Sequence, residues 1–456
     1  MKPKIPGNVL VYTRHSNYGF ARYFHEVADR TFAGTMTYCA DWPGLEPINL
    51  MKAFYKYYRN RNARHDLSAN ELDQITKRCP LLMNLPPEQA RRMAIAMHAS
   101  IEETFDAARP DYIFSQSVDN YITDLLCRIA LKRNARPVMI ISSPVDNRTR
   151  ITRYGEFNKV RNPGEEEVEG VLEWLLDDEK RCLYLLDFYR TTWAKHMKEY
   201  GLRFAKDLAF RVLKLYHHDP LNYRFSVGSA KFGYGKIKLS NYRFKAYYDG
   251  DWSARLAAAK RPTIYIPLPQ TPEATTTYWL KDLRYMDFEP FLLAACRTLS
   301  QHFDLVIKDH WCMPSIRNWR FYRDLKSIPG VILVPAEVNS REFYKRVDAI
   351  LVGSGTSGIE AALRGRLVIN LSEPYYFVEG SFLVLSSANE VAELPRRVAA
   401  MKPVFTREQH KAIVRRVLEN TFVGALVVNK KGNNAETWEI VAESLKEYLA
   451  AYGSRS

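Results

Sequence analysis

The sequence lacks the features of a membrane-spanning or exported chain. No stretch among its 456 residues approaches the roughly 20 uninterrupted apolar residues that cross a bilayer. The start of the chain leads directly into the strand-like run 9–12, without the apolar segment and small-residue cleavage site of a signal peptide. We therefore expect a cytoplasmic protein that reaches a membrane, if at all, only from its surface.

Cysteine is scarce and shows no ordered spacing. The six cysteines form no C-x-x-C pair, and no histidines accompany them at zinc-binding distances. We expect small buried apolar side chains and no structural metal. The cysteines are Cys39, Cys79, Cys127, Cys182, Cys296 and Cys312.

Acidic residues are outnumbered, which gives the chain a net charge of +15. Such a surface suits nucleic acid, an anionic membrane or a phosphorylated substrate. The stretch between Asp219 and Asp249 has no acidic residue, and its basic side chains alternate with aromatic ones. Residues 52–61 show the same mixture of basic and aromatic side chains. Both segments suit a lipid headgroup interface, stacking on single-stranded nucleic acid, or a plain solvated connection. Nucleic acid is least favoured because no nucleic-acid module is recognisable, so we hypothesise contact with a membrane face.

The length of the chain predicts two domains rather than one core. Short apolar strands alternate with helices over 1–150 and again over 259–456, which is typical of buried parallel sheets. The segment 151–258 shows no such repeat and is interpreted as a helical, basic connecting region. We predict an α/β fold of two Rossmann-like, doubly wound parallel-sheet lobes, with the terminal helices 405–420 and 435–452 in the second lobe.

The most distinctive local feature is the run 353–358 (Gly-Ser-Gly-Thr-Ser-Gly) between a predicted strand and a helix. Small residues allow close approach of a ligand, and the amides of a helix's first turn favour phosphate. A simple tight turn is the alternative. The run also matches G-x-G-x-x-G, and Glu373 follows Gly353 by 20 residues, as in dinucleotide sites. We discount that match because three strand–helix units precede it in the same lobe.

Two further polar segments follow predicted strands of the second lobe. Lys308 and His310 stand at a strand's carboxyl end, where ligands of parallel sheets bind, and both could contact phosphate. A structural histidine is the alternative. The segment 267–277, which includes Gln270 and Glu273, combines an amide, a carboxylate and hydroxyls, and by itself is equally a proline-stiffened loop.

Together these segments resemble the capsule polysaccharide biosynthesis family, which includes bacterial β-Kdo transferases. The family pattern P-L-x-x-x-P-E-A-T/S stands at 267–275, and K-E-H-P stands as Lys-Asp-His-Trp at 308–311. G-T-x-G-x-E-A stands at 355–361, and a strand like G-K-P-V-I stands at 365–369. The resemblance covers about residues 260 to 375, whereas the first half agrees only in general layout.

The resemblance implies a GT-B fold whose second lobe holds a nucleotide-sugar. Glu360 would reach the ribose or serve as a structural acid. Asp309 and Trp311 depart from the family's glutamate and proline, so the loop and the sugar recognised would differ. The donor-binding set implied is Gln270, Glu273, Lys308, His310, Ser354, Gly355, Thr356, Ser357 and Glu360.

Glycosyl transfer with inversion also needs a base for the acceptor hydroxyl, which we place in the first lobe. Asp119 is the preferred candidate and His15 the other, since each follows a predicted strand. Asp119 could instead cap the next helix. We expect no metal, since no D-x-D arrangement suggests a cation between carboxylates and diphosphate.

The sequence thus predicts a metal-independent glycosyltransferase without a cofactor, its donor being the nucleotide-sugar. Kdo or a related acid sugar would move to a surface polysaccharide or a lipid-linked glycan. A sugar-nucleotide epimerase and a non-catalytic subunit of capsule assembly or export are the alternatives. The phosphate-binding residues speak against the last, because a scaffold has no need of them.

Overall fold

The chain folds as two compact units. The N-terminal unit comprises Met1–Asn162, Lys206–Gly233 and Leu418–Ser456, and the C-terminal unit Pro163–Ala205 and Tyr234–Val417. The computed structural model describes residues 2–14, 20–60, 63–177, 193–228, 239–311, 313–314, 316–401, 403, 405–426 and 434–452.

The N-terminal unit is built on a seven-stranded sheet with the order β13-β6-β5-β4-β1-β2-β3. The first five strands pair in parallel, whereas β6 and β13 run antiparallel at one edge. Every residue of β1 is buried, as expected for a central parallel strand covered on both faces. The strands are β1 (Val9–Thr13), β2 (Met36–Ala40), β3 (Ile48–Asn49), β4 (Tyr112–Gln116), β5 (Arg136–Ser142), β6 (Arg148–Ile151) and β13 (Thr421–Val423).

Helices flank this sheet, and their boundaries follow local chemistry. Ser68 and Glu71 form a capping box at the start of α3, which satisfies amides that the first turn leaves without partners. Pro87 occupies the first position of α4, where its missing N–H costs nothing. The helices are α1 (Phe20–Thr31), α2 (Leu50–Arg59), α3 (Ala69–Arg78), α4 (Pro87–Ala108), α5 (Tyr121–Lys132), α8 (Tyr223–Gly228) and α17 (Ala435–Tyr452).

The end of the chain returns to the N-terminal unit, contrary to the predicted placement of its last helix in the second lobe. Trp438, Val441 and Leu445 of α17 share one apolar core with Val9 and Phe114. The physical reason is pairing and burial: β13 adds to the sheet beside β6, and α17 covers apolar surface that α1 leaves on the same unit.

The C-terminal unit contains a six-stranded sheet in which all neighbours pair in parallel, with the order β12-β11-β10-β7-β8-β9. Its apolar core is built from alternate strand residues such as Ile264, Leu305 and Leu351. The strands are β7 (Thr263–Pro267), β8 (Asp304–Lys308), β9 (Val331–Val334), β10 (Ala349–Val352), β11 (Leu367–Asn370) and β12 (Phe382–Val384).

The remaining helices cover this sheet or belong to the predicted connecting region. Short 3₁₀ turns, such as Leu239–Tyr247, complete the path between them. The helices are α6 (Glu165–Leu176), α7 (Trp193–Tyr216), α9 (Trp252–Ala257), α10 (Ala274–Thr277), α11 (Phe288–Leu299), α12 (Trp319–Lys326), α13 (Arg341–Tyr344), α14 (Ser357–Ala362), α15 (Leu394–Ala400) and α16 (Arg407–Glu419).

The α/β architecture of two Rossmann-like, parallel-sheet lobes confirms the predicted GT-B-like fold class, while the helical segments of 163–258 are divided between the two units. In each sheet the strand order reverses next to the first strand, between β1 and β4 and between β7 and β10. Crevices at the carboxyl ends of parallel strands form at such points and are where open α/β sheets bind ligands.

Described aromatic side chains of the two basic segments pack against the protein, and the membrane contact expected for these segments stays a prediction. Phe225, Phe244 and Phe54 are buried, and the Tyr55 hydroxyl donates to Asp219 at 2.7 Å. Residues 229–238 lie outside the described part of the chain. Among the described helices, none combines the length and hydropathy that crossing a bilayer requires.

The described cysteines confirm the expectation of buried apolar side chains. Cys39, Cys79, Cys127 and Cys296 are free and buried. Cys182 and Cys312 lie outside the residues that the structure describes.

Candidate functional site

Three predicted polar segments meet at the carboxyl edge of the C-terminal sheet. They follow β7, β8 and β10, which are neighbours in the strand order. Ser354 Oγ donates to the Thr275 carbonyl at 3.4 Å, and Arg317 Nη2 donates to the Pro269 carbonyl at 2.9 Å. The segment after β7 therefore lies between the other two, at the point where the strand order reverses.

The glycine-rich loop after β10 is held by two buried side chains, one at the end of β11 and one beyond it. Asn370 Nδ2 donates to the Gly353 carbonyl at 2.9 Å, and the Tyr376 hydroxyl donates to the Gly355 carbonyl at 3.0 Å. A Cβ at Gly358 would overlap the Tyr376 hydroxyl, so packing requires glycine there. A Cβ at Gly355 would meet nothing within 4 Å. The loop is thus held in place while space remains beside Gly355.

The hydroxyls of this loop differ in their surroundings. Ser354 is buried and engaged with the segment after β7. Thr356 and Ser357 are half-buried at the start of α14, and the Thr356 side chain makes no capping hydrogen bond. The Ser357 side chain hydrogen-bonds to that of the buried Tyr344, so Thr356 is the better placed to reach a ligand.

Burial sets the charge states of the two side chains at the end of β8. The Lys308 ammonium lies 3.2 Å from the Ala336 carbonyl, and burial lowers the pKa of Lys308 to about 8. Burial likewise lowers the pKa of His310 to about 4. At neutral pH Lys308 is mostly charged and His310 is neutral, so His310 is a hydrogen-bonding ring rather than a cation.

A buried ionic cluster under these residues escaped the sequence analysis. The Asp309 carboxylate accepts from the His310 amide at 2.7 Å, from Arg317 Nε at 3.2 Å and from the Tyr322 hydroxyl. The Arg317 side chain is fully buried and also pairs with Glu289 at 3.2 Å. The Asp309 that replaces the family's glutamate therefore fixes the backbone of His310, and Arg317 joins it to the loop after β7.

Glu273 and Glu360 each interact with a neighbouring side chain of the C-terminal unit. Glu273 is exposed and accepts from the Thr275 hydroxyl at 2.8 Å, while its amide donates to Thr276 at 3.2 Å. Glu360 lies 3.5 Å from Arg341 Nε of α13. That ion pair supports a structural role for Glu360. Gln270, the other polar residue predicted in the loop after β7, is half-buried.

In the N-terminal unit, Asp119 follows β4 and forms an ion pair with Arg14, which follows β1. Its other oxygen accepts from Asn120 Nδ2 at 2.9 Å. Asn120, not Asp119, caps α5 by accepting from the Ile122 amide at 2.8 Å, so the capping alternative for Asp119 was wrong. His15 lies outside the described residues.

A D-x-D triplet does occur, at Asp249-Gly250-Asp251, contrary to the sequence analysis, but its first carboxylate has structural partners. Asp249 accepts from the Leu333 amide at 2.8 Å and pairs with Arg255 and Lys326. The Asp249 carboxylate is therefore already neutralised by two side-chain cations.

One described group has the donor atoms of a cation site, and it lies in the N-terminal unit. Asp66, His98 and Glu102 place their ligand atoms within 4.8 Å of one another. The Lys132 ammonium lies 3.3 Å from the Asp66 carboxylate, so an internal cation already neutralises it. The expectation of no metal stays a prediction.

Comparison with solved structures gives distant likenesses. The β-Kdo 2,7-transferase KpsC of Thermosulfurimonas dismutans is 12% identical, over 98% of this chain and 100% of that one, with a TM-score of 0.37. S. aureus MnaA with UDP is 12% identical over 99% of both chains, with a TM-score of 0.28. The UDP-GlcNAc 2-epimerase of Neisseria meningitidis is 12% identical over 97% and 99%, with a TM-score of 0.25. All three TM-scores lie below 0.5, so the protein's own sheet order defines its fold.

Comparison at the level of families is more specific. None of the curated proteins matches the chain in sequence. A family described as capsule polysaccharide biosynthesis protein matches residues 222–411, which include all three loops at the edge of the C-terminal sheet. The match spans less than half of the chain, and over residues 222–411 the chain is similar to the capsule polysaccharide biosynthesis family, as its motifs indicated.

Proposed function

We propose that the protein is a glycosyltransferase of capsule polysaccharide synthesis, with its nucleotide-sugar donor bound in the C-terminal unit. The observation that carries this proposal is the convergence of three loops at the reversal of strand order. There Lys308, the loop 353–358 and the segment after β7 meet within the region that matches the family.

The chemistry of the site suits a departing nucleotide phosphate. Transfer needs groups that stabilise the negative charge developing on the phosphate, and fixed donors in a partly dry site do this best. Lys308 would supply the charge, and His310 would supply a neutral ring N–H. Thr356 and Ser357 would add hydroxyl donors beside the open space at Gly355.

The acceptor hydroxyl would lose its proton to Asp119 of the N-terminal unit. Arg14 and Asn120 each hold one of its two carboxylate oxygens, so the side chain has a fixed orientation. A carboxylate that is positioned in this way can act as a general base once the acceptor is bound. On the motif resemblance, Kdo or a related acid sugar is the proposed donor sugar, and a lipid-linked or surface glycan is the proposed acceptor.

Product analysis tests the proposal. We expect sugar transfer from one nucleotide donor only when a glycan acceptor is present. Lys308→Ala should bind the donor about tenfold to a hundredfold more weakly, whereas Asp119→Asn should keep donor binding and lose turnover. Lys260→Ala, at an exposed lysine before the amino end of β7, is the matched control and should change neither. Formation of an epimerised sugar-nucleotide without acceptor would instead establish the epimerase alternative.

A further inference from the structure

Exposed apolar side chains concentrate on one helix. Among the described residues, nine large apolar side chains are exposed, and six of them lie on α7 with exposed fractions of 57–76%. The six are Leu202, Phe204, Leu208, Val212, Leu215 and Tyr216. Soluble proteins rarely leave such a contiguous apolar patch in water unless it contacts a partner.

The spacing of these residues places them on one face of α7. Phe204, Leu208 and Val212 recur every four residues, and Leu215 and Tyr216 continue the row. Phe210 lies on the opposite side, where it is buried with its ring 6.2 Å from that of Phe225. Helix α7 is therefore anchored by one side and presents an apolar face on the other.

The charge of the same helix indicates what covers this face. Arg211, four residues after Asp207 and 2.8 Å from it, is 64% exposed beside the apolar row. A basic amphipathic helix of this kind lies in the headgroup region of a bilayer and is attracted by anionic lipids. Residues 193–216 carry six basic side chains against two acidic ones, Lys195, Lys198, Arg203, Lys206, Arg211 and Lys214 against Glu199 and Asp207.

We propose that α7 docks the protein on an anionic bilayer, with the row Phe204, Leu208 and Val212 turned toward the acyl chains. A second copy of the chain is a poor occupant, because two such helices would bring like charges together. The inference deepens the proposed function by bringing the enzyme to a lipid-linked acceptor. It replaces the two basic aromatic segments, whose described phenylalanines are buried, as the membrane-contacting surface.

Vesicle co-sedimentation tests the docking surface. The full chain is mixed with vesicles of phosphatidylcholine alone or with phosphatidylglycerol, at low and high salt. We expect binding to the anionic vesicles only, weakened by salt. The double variant Leu208→Gln/Val212→Gln should bind these vesicles at least about tenfold more weakly, because it removes two apolar side chains from the contact.

Matched variants keep the outcome interpretable. Met83→Gln/Leu131→Gln changes two exposed apolar side chains elsewhere in the N-terminal unit and should bind vesicles like the wild type. The proposal would be overturned if the α7 variant bound anionic vesicles as well as the wild type does. It would also be overturned if the wild type bound only neutral vesicles, or formed a dimer that the α7 substitutions dissociate. Nucleotide binding, measured without vesicles, should be the same in all these variants, so failure of the docking surface is distinguishable from failure of the donor site.

Discussion

Lys308 and His310 are adjacent in the candidate site, yet burial gives them different roles. The pKa of Lys308 is lowered to about 8, so the ammonium loses its proton as the pH rises from about 7 to about 9. We predict that nucleotide affinity falls as the pH rises above the pKa of free Lys308, by up to about tenfold per pH unit until the pKa of the complex is reached. Bound phosphate favours the charged form, so that pKa lies above the value in the free protein. Calorimetry across this range measures the loss.

Two variants separate Lys308 from its neighbour. Lys308→Arg keeps its charge at every pH in the range and should show a flat profile. His310 is neutral at pH 7 because its pKa is lowered to about 4, so His310→Ala should weaken binding without changing the slope. A wild-type affinity that does not change with pH would contradict the assignment of Lys308 to phosphate.

The buried pair Asp309–Arg317 gives a prediction on stability. In Asp309→Asn, the fully buried Arg317 keeps only the more exposed Glu289 as an ionic partner, and the free energy of unfolding should fall by about 3–5 kcal/mol. Urea denaturation measures this difference. Asp324→Asn, which removes the exposed partner of Arg323, is the control and should cost less than about 1 kcal/mol. Equal losses in the two variants would refute the role of the buried pair.

Among single residues, the sequence predicted those that a motif or a strand end marks. Lys308, His310 and the small residues of 353–358 lie at the sheet edge where strand ends were expected. Arg317, Asn370 and Tyr376 were missed, because they act through tertiary contacts with backbone groups that no local pattern reveals. Asp119 was named as the candidate base, which stays a prediction, but its ion-pair partner Arg14 follows another strand and no sequence pattern indicated it.

The glycine-rich loop and α14 form an element whose packing is testable. Gly358→Ala would place a Cβ against the Tyr376 hydroxyl, so we predict a loss of about 1–3 kcal/mol in unfolding free energy. Thermal or urea unfolding measures the change. Adding Tyr376→Phe to that variant should restore part of the loss.

Gly355→Ala is the matched control for Gly358→Ala. Its Cβ meets no atom within 4 Å, so stability should hardly change. A larger side chain, as in Gly355→Leu, should leave the fold intact and reduce nucleotide binding by filling the open space. If Gly358→Ala is as stable as Gly355→Ala, the contact with Tyr376 does not hold the loop.

Elements with strong periodicity were predicted well and short edge elements were not. The strand–helix alternation expected over 1–150 includes the 22-residue α4, which begins at Pro87 because proline suits a first turn. The strands β3, β12 and β13 have two or three residues each and exist only through pairing with a neighbour, so periodicity could not reveal them. The described phenylalanines of the basic segments are buried, which composition alone did not predict.

The division of the whole chain into two units yields a further prediction. Leu445 of α17 is buried in the N-terminal core, so Leu445→Ala should lower the unfolding free energy by about 2–5 kcal/mol. Hydrogen exchange should quicken in β1 and β4 but not in β7. Leu131→Ala, at an exposed position, is the control. If exchange became faster only in β7 and its neighbours, α17 would belong to the C-terminal unit, and its assignment to the N-terminal unit would be wrong.

Two lobes could be predicted from the alternation of strands and helices. Which segments of the chain build each lobe could not be predicted. The chain re-enters the N-terminal unit at Lys206 and again at Leu418, and it does so through pairings between residues far apart in sequence. Such pairings depend on which surfaces the rest of the unit leaves uncovered, and local sequence patterns do not predict this.

Nucleotide binding by calorimetry tests the donor site most directly, with CMP, UDP, GDP, dTDP and NAD offered in turn to the wild type, Lys308→Ala and Lys260→Ala. We predict that the wild type selects one of the first four. Lys308→Ala should bind it about tenfold to a hundredfold more weakly, as expected for a lost charged hydrogen bond, and Lys260→Ala should bind it normally. Unaltered binding in Lys308→Ala would contradict the placement of the donor. Binding of NAD alone would restore the dinucleotide interpretation of 353–358 and contradict the transferase.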